Sequence, residues 1–71
     1  MDLTATFSKA KSLIQSNKMD EARDMCDLGL VKIAQHRLMD GYGVEDKVER
    51  VKIGVWLERF WFLLENNNLL L

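Results

Sequence analysis

The sequence predicts an all-α fold, an antiparallel three-helix bundle in a single domain, and three observations carry this prediction. The 71 residues include no proline, so long helices can form without a break. Apolar residues recur with helical spacing along most of the chain. Two short segments rich in turn-forming and polar residues, at 17–20 and 40–43, divide this pattern into three stretches, each long enough for one helix.

The first helix is predicted over about residues 4–16. Its apolar stripe consists of Leu3, Phe7, Ala10 and Ile14, which share one side of a helix with about 3.6 residues per turn. Asp2 or Thr4 is the expected cap, because either side chain can accept a hydrogen bond from a free N–H of the first turn.

The second helix is predicted over about residues 21–39, after the polar break that begins at Asn17. Asp20 is the expected N-cap, and Glu21 follows where the positive end of the helix dipole favours acidic side chains. Gly29 stands on the apolar face, where alanine would favour the helix by about 1 kcal/mol. We therefore expect the backbone of another helix to approach closely at Gly29.

A sharp turn is predicted at Asp40-Gly41-Tyr42-Gly43, because glycine readily takes the left-handed conformation that ends a helix. A third helix follows over about residues 44–65, and then an apolar tail at 69–71. At about 100° per residue this helix carries two apolar stripes about 140° apart. The first stripe consists of Val44, Val48, Val51, Val55 and Phe62, and the second of Ile53, Trp56, Leu57, Phe60 and Leu64.

The C-terminal half of the third helix is more apolar than one seam of a three-helix bundle requires. Between Ile53 and Leu64 only Gly54, Glu58 and Arg59 are not apolar, whereas one seam takes at most about half of the circumference. Exposed aromatic patches are typical of interaction sites. Three coverings remain open: self-association, which small cores commonly need, a partner's amphipathic helix, or the chain's own first helix and tail.

Charge and composition exclude several classes of function. Ten Lys and Arg against eleven Asp and Glu give a net charge of −1, so nucleic-acid binding through bulk positive charge is not expected. The sequence has no membrane-spanning apolar run and no signal-peptide pattern. The single cysteine, Cys26, excludes an internal disulfide and is typical of a reducing compartment, so we expect a cytoplasmic protein with a buried, unreactive thiol.

No residue pattern predicts catalysis, a metal site or a cofactor. His36 has Asp40 one helical turn later, but no nucleophile or second metal ligand stands at a suitable spacing, and a solvated or capping histidine is expected. Asp20, Asp24 and Asp27 form an acidic stripe that is either a docking edge for basic groups or a solvated helix face.

The order of these features resembles the microtubule-interacting-and-trafficking (MIT) domain, an antiparallel three-helix bundle of about this length. The similarity lies in Asn17-Lys18-Met19-Asp20-Glu21-Ala22, in the Gly29-Leu30 step, and in the linker Gly41-Tyr42-Gly43-Val44-Glu45, which is most like the spastin and spartin branch. The start of a tetratricopeptide repeat is similar over the same stretch. Many MIT domains enter helix two through Gly-x-x-x-Glu-Ala, where this chain has Asn17 and Lys18 in place of the glycine, and their third helix is more polar.

Members of that family bind amphipathic helices or extended segments in grooves along helix three. The resemblance therefore implies a partner against Leu57, Phe60 and Leu64 of helix three and against Asp24, Asp27 and Val31 of helix two.

The combined prediction is a non-catalytic protein-interaction module of the adaptor, chaperone or inhibitor type. It would present the aromatic face of helix three to a partner helix or to itself, through Ile53, Trp56, Leu57, Phe60, Trp61 and Leu64. The alternative is a small homo-oligomeric helical regulator of phage or bacterial type, or a secretion co-chaperone. That alternative includes a small-molecule pocket between protomers, with Arg59, His36 and Tyr42 as polar contacts.

Overall fold

The computed structural model describes residues 2–39 and 47–70, and its regular structure in those ranges consists of three helices. They are α1 (Thr4–Gln15), α2 (Met19–Met39) and α3 (Lys47–Asn66). The helices pack side by side, which confirms the predicted all-α three-helix bundle. The predicted turn at 40–43 and the predicted start of the third helix at Val44 lie outside the described residues.

The start of α1 is held by the side chain of Asp2. Its Oδ1 accepts hydrogen bonds from the Thr4 backbone N–H at 2.9 Å and from the Thr4 hydroxyl at 2.6 Å. These two bonds stabilise the ionised carboxylate, the hydroxyl bond first, and lower the pKa of Asp2. The N-cap position itself is Leu3, which makes no side-chain capping bond. The prediction of Asp2 or Thr4 as the N-cap is therefore wrong, although Asp2 accepts the Thr4 hydrogen bonds from one residue further out.

The turn between α1 and α2 is a Schellman motif built on Asn17. Asn17 has a φ of 59°, its N–H donates to the carbonyl of Ile14, and the N–H of Lys18 donates to the carbonyl of Leu13 at 2.8 Å. The compact turn lets α2 begin at Met19, two residues earlier than predicted. Asp20 is therefore not the N-cap, although it lies in the acidic first turn with Glu21.

The same motif ends α3. Asn68 has a φ of 55°, and the N–H of Leu69 donates to the carbonyl of Leu64 at 2.9 Å. In a Schellman motif these two positions commonly make an apolar contact, and both side chains are buried in the core here. The first residue of the apolar tail therefore folds back onto the bundle, while Leu70 stays 46% exposed.

The core is built from one stripe of each helix. The buried apolar side chains are Leu3, Ala10, Leu13, Ala22, Cys26, Ile33, Ile53, Trp56, Phe60, Leu64 and Leu69. At its centre, Phe7 meets Phe60 edge-on, with ring centroids 5.6 Å apart, and Trp56 at 6.0 Å. These rings join α1 to α3, and edge-to-face pairs of this kind are favourable beyond the area they bury.

Gly29 is the point where α3 reaches α2. A Cβ added to Gly29 would come within 2.7 Å of the Cε atoms of the Phe60 ring, which is closer than real carbon atoms approach. The sequence prediction of a close approach at Gly29 is right about the position and wrong about the neighbour, because a ring, not a backbone, fills the space.

Candidate protein-interaction surface

Four of the predicted contact residues on helix three lie in the chain's own core. Ile53, Trp56, Phe60 and Leu64 are all buried, and Leu57 is partly buried against them. The physical reason is that α1 supplies the Phe7 ring and α2 supplies the gap at Gly29, so the large second stripe fits inside the bundle. These side chains therefore do not form the surface that the sequence analysis expected.

The other predicted contacts remain accessible, and some of them meet in one groove. Trp61 is 44% exposed. With Leu64 and Leu70 it lines an open groove of about 410 Å³ between α2 and the C-terminal end of α3, and Asp24 and Asp27 line the α2 side. We call this the α2–α3 groove. Val31, the remaining predicted contact, does not line the groove and stays exposed on α2.

The stripe of α3 that faces away from the core is apolar and exposed. Val48, Val51, Val55 and Phe62 are 64%, 64%, 37% and 66% exposed, and we call these four residues the outer stripe. They follow one another at intervals of three, four and seven residues, which is the spacing of a coiled-coil seam. Glu58 occupies the one seam position between Val55 and Phe62 that is not apolar.

The sequence predicts this apolar stripe but not its function, because the predicted contact surface rests on aromatic residues and the stripe consists mostly of valines. The residue that could have indicated which stripe faces inward is Gly29, because a helix position without a side chain leaves room for a large side chain of the facing helix. Three of the outer-stripe residues are valines, too short to reach into such a gap. Phe62 is the exception in size, and it is the most exposed of the large apolar residues of the described chain.

Charged side chains beside the outer stripe are divided along α3. The N-terminal half exposes three cations, Lys47, Arg50 and Lys52, and the C-terminal half exposes the carboxylates of Glu58 and Glu65. Arg59 is exposed as well, and its guanidinium carbon lies over the Trp56 ring, 4.7 Å from the centroid, in a cation–π contact. The exposed charges of α3 therefore sum to +3 in its N-terminal half and −1 in its C-terminal half.

Glu49 does not offset the basic end on the surface, because it is engaged with α2. His36 Nε2 lies 2.6 Å from Glu49 Oε1, in a partly buried bond between the end of α2 and the start of α3. The sequence analysis expected a solvated or capping histidine and noted Asp40, which lies outside the described residues. The structure corrects this, since His36 links two helices.

Two of the polar contacts expected for a small-molecule pocket are engaged with other side chains: His36 lies against Glu49, and Arg59 lies over Trp56. The third, Tyr42, lies outside the described residues. Cys26 is a buried free thiol, and burial, followed by the nearby charge of Asp27, raises its pKa.

Within residues 2–39 and 47–70, no three His, Cys, Asp or Glu side chains are grouped so that they could hold a metal ion.

None of the helices in the described part of the chain combines the length and the apolar character that crossing a membrane requires. Comparison with protein-family models, with curated proteins and with solved structures finds no match to this chain.

Proposed function

We propose that this chain is a non-catalytic protein-interaction module and that the outer stripe of α3 is its main contact surface. The observation that carries the proposal is the exposure of Val48, Val51, Val55 and Phe62 in coiled-coil spacing. A seam of this kind is stable in water when a second helix covers it.

The bundle does not need the outer stripe for its own stability. Phe7, Trp56 and Phe60 fill the centre of the core, and Leu69 covers its end near Leu64. Apolar side chains that contribute nothing to the core and lie in one row are typical of a docking surface. Trp56 and Phe60, two of the aromatic residues predicted as contacts, serve the fold, and the valine-rich stripe takes over the role of partner contact.

Site-directed photo-crosslinking tests the proposal. A benzophenone amino acid replaces Phe62 in one variant and Leu28, an exposed apolar residue of α2, in a matched control. In the protein's native cells we expect the Phe62 variant to form an adduct with one defined protein chain, identified by mass spectrometry, which the Leu28 control does not form. An absence of adducts specific to position 62 would contradict the proposal.

A second candidate surface is the α2–α3 groove, which combines apolar walls from Trp61 and Leu70 with the carboxylates of Asp24 and Asp27. This combination suits a partner segment that carries apolar and basic side chains. Three of the contacts that the resemblance to the MIT domain implies, Asp24, Asp27 and Leu64, line this groove. Trp61→Ala should weaken binding of such a segment, and Phe62→Ala should leave it unchanged.

Membership of the MIT family stays part of this proposal, and one feature of Asn17 supports it. The family pattern has a glycine at this position, and Asn17 takes a left-handed conformation, with a φ of 59°. Asparagine is the residue that replaces glycine most readily in that conformation. A cytoplasmic location belongs to the same proposal and is supported by the free thiol of Cys26.

A further inference from the structure

We infer that the partner of the outer stripe is a second copy of this chain, with the two α3 helices packed antiparallel about a two-fold axis near Val51 and Val55. This inference rests on the proposed function, since it names the occupant of the same surface. Three features of α3 carry it: the division of charge along the helix, the position of Glu58, and the open space at Gly54.

The uneven distribution of exposed charge makes α3 partly complementary to itself. Its N-terminal half exposes Lys47, Arg50 and Lys52, a charge of +3, and its C-terminal half exposes Glu58, Arg59 and Glu65, a net charge of −1. An antiparallel pair lays the basic half of each helix along the acidic half of the other. A parallel pair would set three cations against three cations, which costs free energy. A two-fold axis uses the same complementary contact twice.

The position of Glu58 selects the same orientation. In an antiparallel pair centred between Val51 and Val55, these valines cover each other across the axis, and Glu58 lies across from Val48 of the second copy, next to Lys47 of that copy. Each of the two symmetry-related Glu58 carboxylates, one at each end of the interface, then has a lysine of the other copy as its neighbour. In a parallel pair Glu58 would face its own copy inside the seam, where two like charges repel.

Gly54 lies beside the proposed axis and has no role inside the bundle. A Cβ built on Gly54 meets no atom within 4 Å, in contrast to Gly29. Glycine within a helix costs about 1 kcal/mol relative to alanine, and nothing in the described chain makes use of it. A second α3 that crosses at this point gains a closer approach of the two backbones.

Analytical ultracentrifugation of the full chain at micromolar concentration gives the first test. We expect a particle of twice the 8.3 kDa chain mass. Val51→Glu with Phe62→Glu should give monomers, because two new carboxylates of each chain would replace apolar side chains of the seam and the two at position 51 would lie close together across the axis. Leu28→Glu with Val31→Glu makes the same change in charge at exposed apolar positions of α2 and should leave the dimer intact. Circular dichroism confirms that both variants keep their helices.

A charge exchange tests the orientation. Lys47→Glu or Glu58→Lys alone should raise the dissociation constant about tenfold, since two symmetry-related ion pairs become repulsive. The double variant restores opposite charges in an antiparallel pair and should recover the wild-type constant. In a parallel pair the two positions do not meet, so a double variant that stays as weak as the single variants would overturn the antiparallel arrangement.

The outcomes separate this inference from the proposed function. A wild-type chain that stays monomeric overturns the self-association, and a Phe62 crosslink to a different protein would then still support an interaction module. A wild-type dimer that the Val51→Glu and Phe62→Glu changes fail to dissociate uses another surface and overturns the inference. A crosslinked product of two identical chains at position 62 supports both.

Discussion

The inner and outer faces of α3 are almost equally apolar, yet only one of them belongs to the core. The inner face carries the large rings of Trp56 and Phe60, and the outer face carries valines and Phe62. The difference lies in what the other helices offer, because α1 contributes Phe7 and α2 contributes the gap at Gly29. Which face of a helix becomes core is thus decided by complementary shape on its neighbours as well as by hydrophobicity.

The largest expected effect contrasts two phenylalanines, one from each face. Phe60→Ala empties the centre of the core and should lower the free energy of unfolding by about 3–5 kcal/mol. At dilutions where the chain is monomeric, Phe62→Ala should change it by less than about 0.5 kcal/mol, since the side chain has no core contact to lose. Urea unfolding followed by circular dichroism measures both.

If Phe60→Ala does not fold, Phe60→Leu serves as a milder variant. It should still lower the free energy of unfolding more than Phe62→Leu does. Equal losses at positions 60 and 62 would mean that the two faces do not differ as described.

The two glycines that face opposite sides of the bundle give the next contrast. Gly29→Ala inserts a methyl group into the Phe60 ring, and overpacking costs about 1–3 kcal/mol, which outweighs the gain in helix propensity. Gly54→Ala meets open space and should stabilise the chain by about 0.5–1 kcal/mol. Thermal unfolding is measured at dilutions where the chain is monomeric.

The cause of the Gly29 effect can be isolated with a double variant. Gly29→Ala combined with Phe60→Leu should lose less stability than the two single changes added together, because the shorter side chain makes room for the methyl group. Strict additivity would rule out a contact between these positions.

A smaller effect is expected at Asn68, in the Schellman motif that ends α3 and places Leu69 in the core. Asn68→Ala places an alanine in the left-handed conformation and should cost about 1 kcal/mol, whereas Asn68→Gly should be neutral or stabilising. Asn66→Ala, in the regular part of the helix, is the matched control and should be close to neutral. A loss at position 66 as large as at position 68 would contradict the assigned motif.

The smallest effect is the pH dependence contributed by Cys26. Burial raises the pKa of its thiol above the ordinary value of 9.0, so the folded state holds the proton more tightly than the unfolded state. Stability from this group is fully present below pH 9.0 and declines as the pH rises toward the folded pKa. The free energy of unfolding is measured against pH for the wild type and for Cys26→Ala, so that the contribution of the thiol is separated from lysine titration. Identical pH profiles of the two proteins would disprove a contribution from Cys26.

The sequence predicted the three helices well because each apolar stripe is periodic and each break contains residues suited to turns. The face of α2 that carries Gly29, expected to be apolar, is buried together with Ala22, Cys26 and Ile33. The Schellman turn at Asn17 was harder to predict, since its bonds depend on a backbone conformation that asparagine takes only sometimes. This is why α2 begins earlier than predicted.

The candidate site was less predictable, because local periodicity shows that α3 has two apolar stripes and not which one faces inward. That choice depends on tertiary neighbours, above all on the ring of Phe7 and the gap at Gly29. The bond between His36 and Glu49 could not be predicted either, since the two residues stand 13 positions apart on different helices. Trp61, Asp24 and Asp27, three of the predicted contact residues, are exposed.

The two indole rings lie in different surroundings, and this gives the chain two built-in optical probes. Trp56 is 8% exposed beside Phe7 and Phe60, whereas Trp61 is 44% exposed at the rim of the α2–α3 groove. A neutral quencher such as acrylamide should reach Trp61 first, and Trp56 should respond only when the bundle opens. With Trp61→Phe the remaining emission reports folding alone, and with Trp56→Phe it reports what enters the groove, so one spectrometer can follow both events without an added dye.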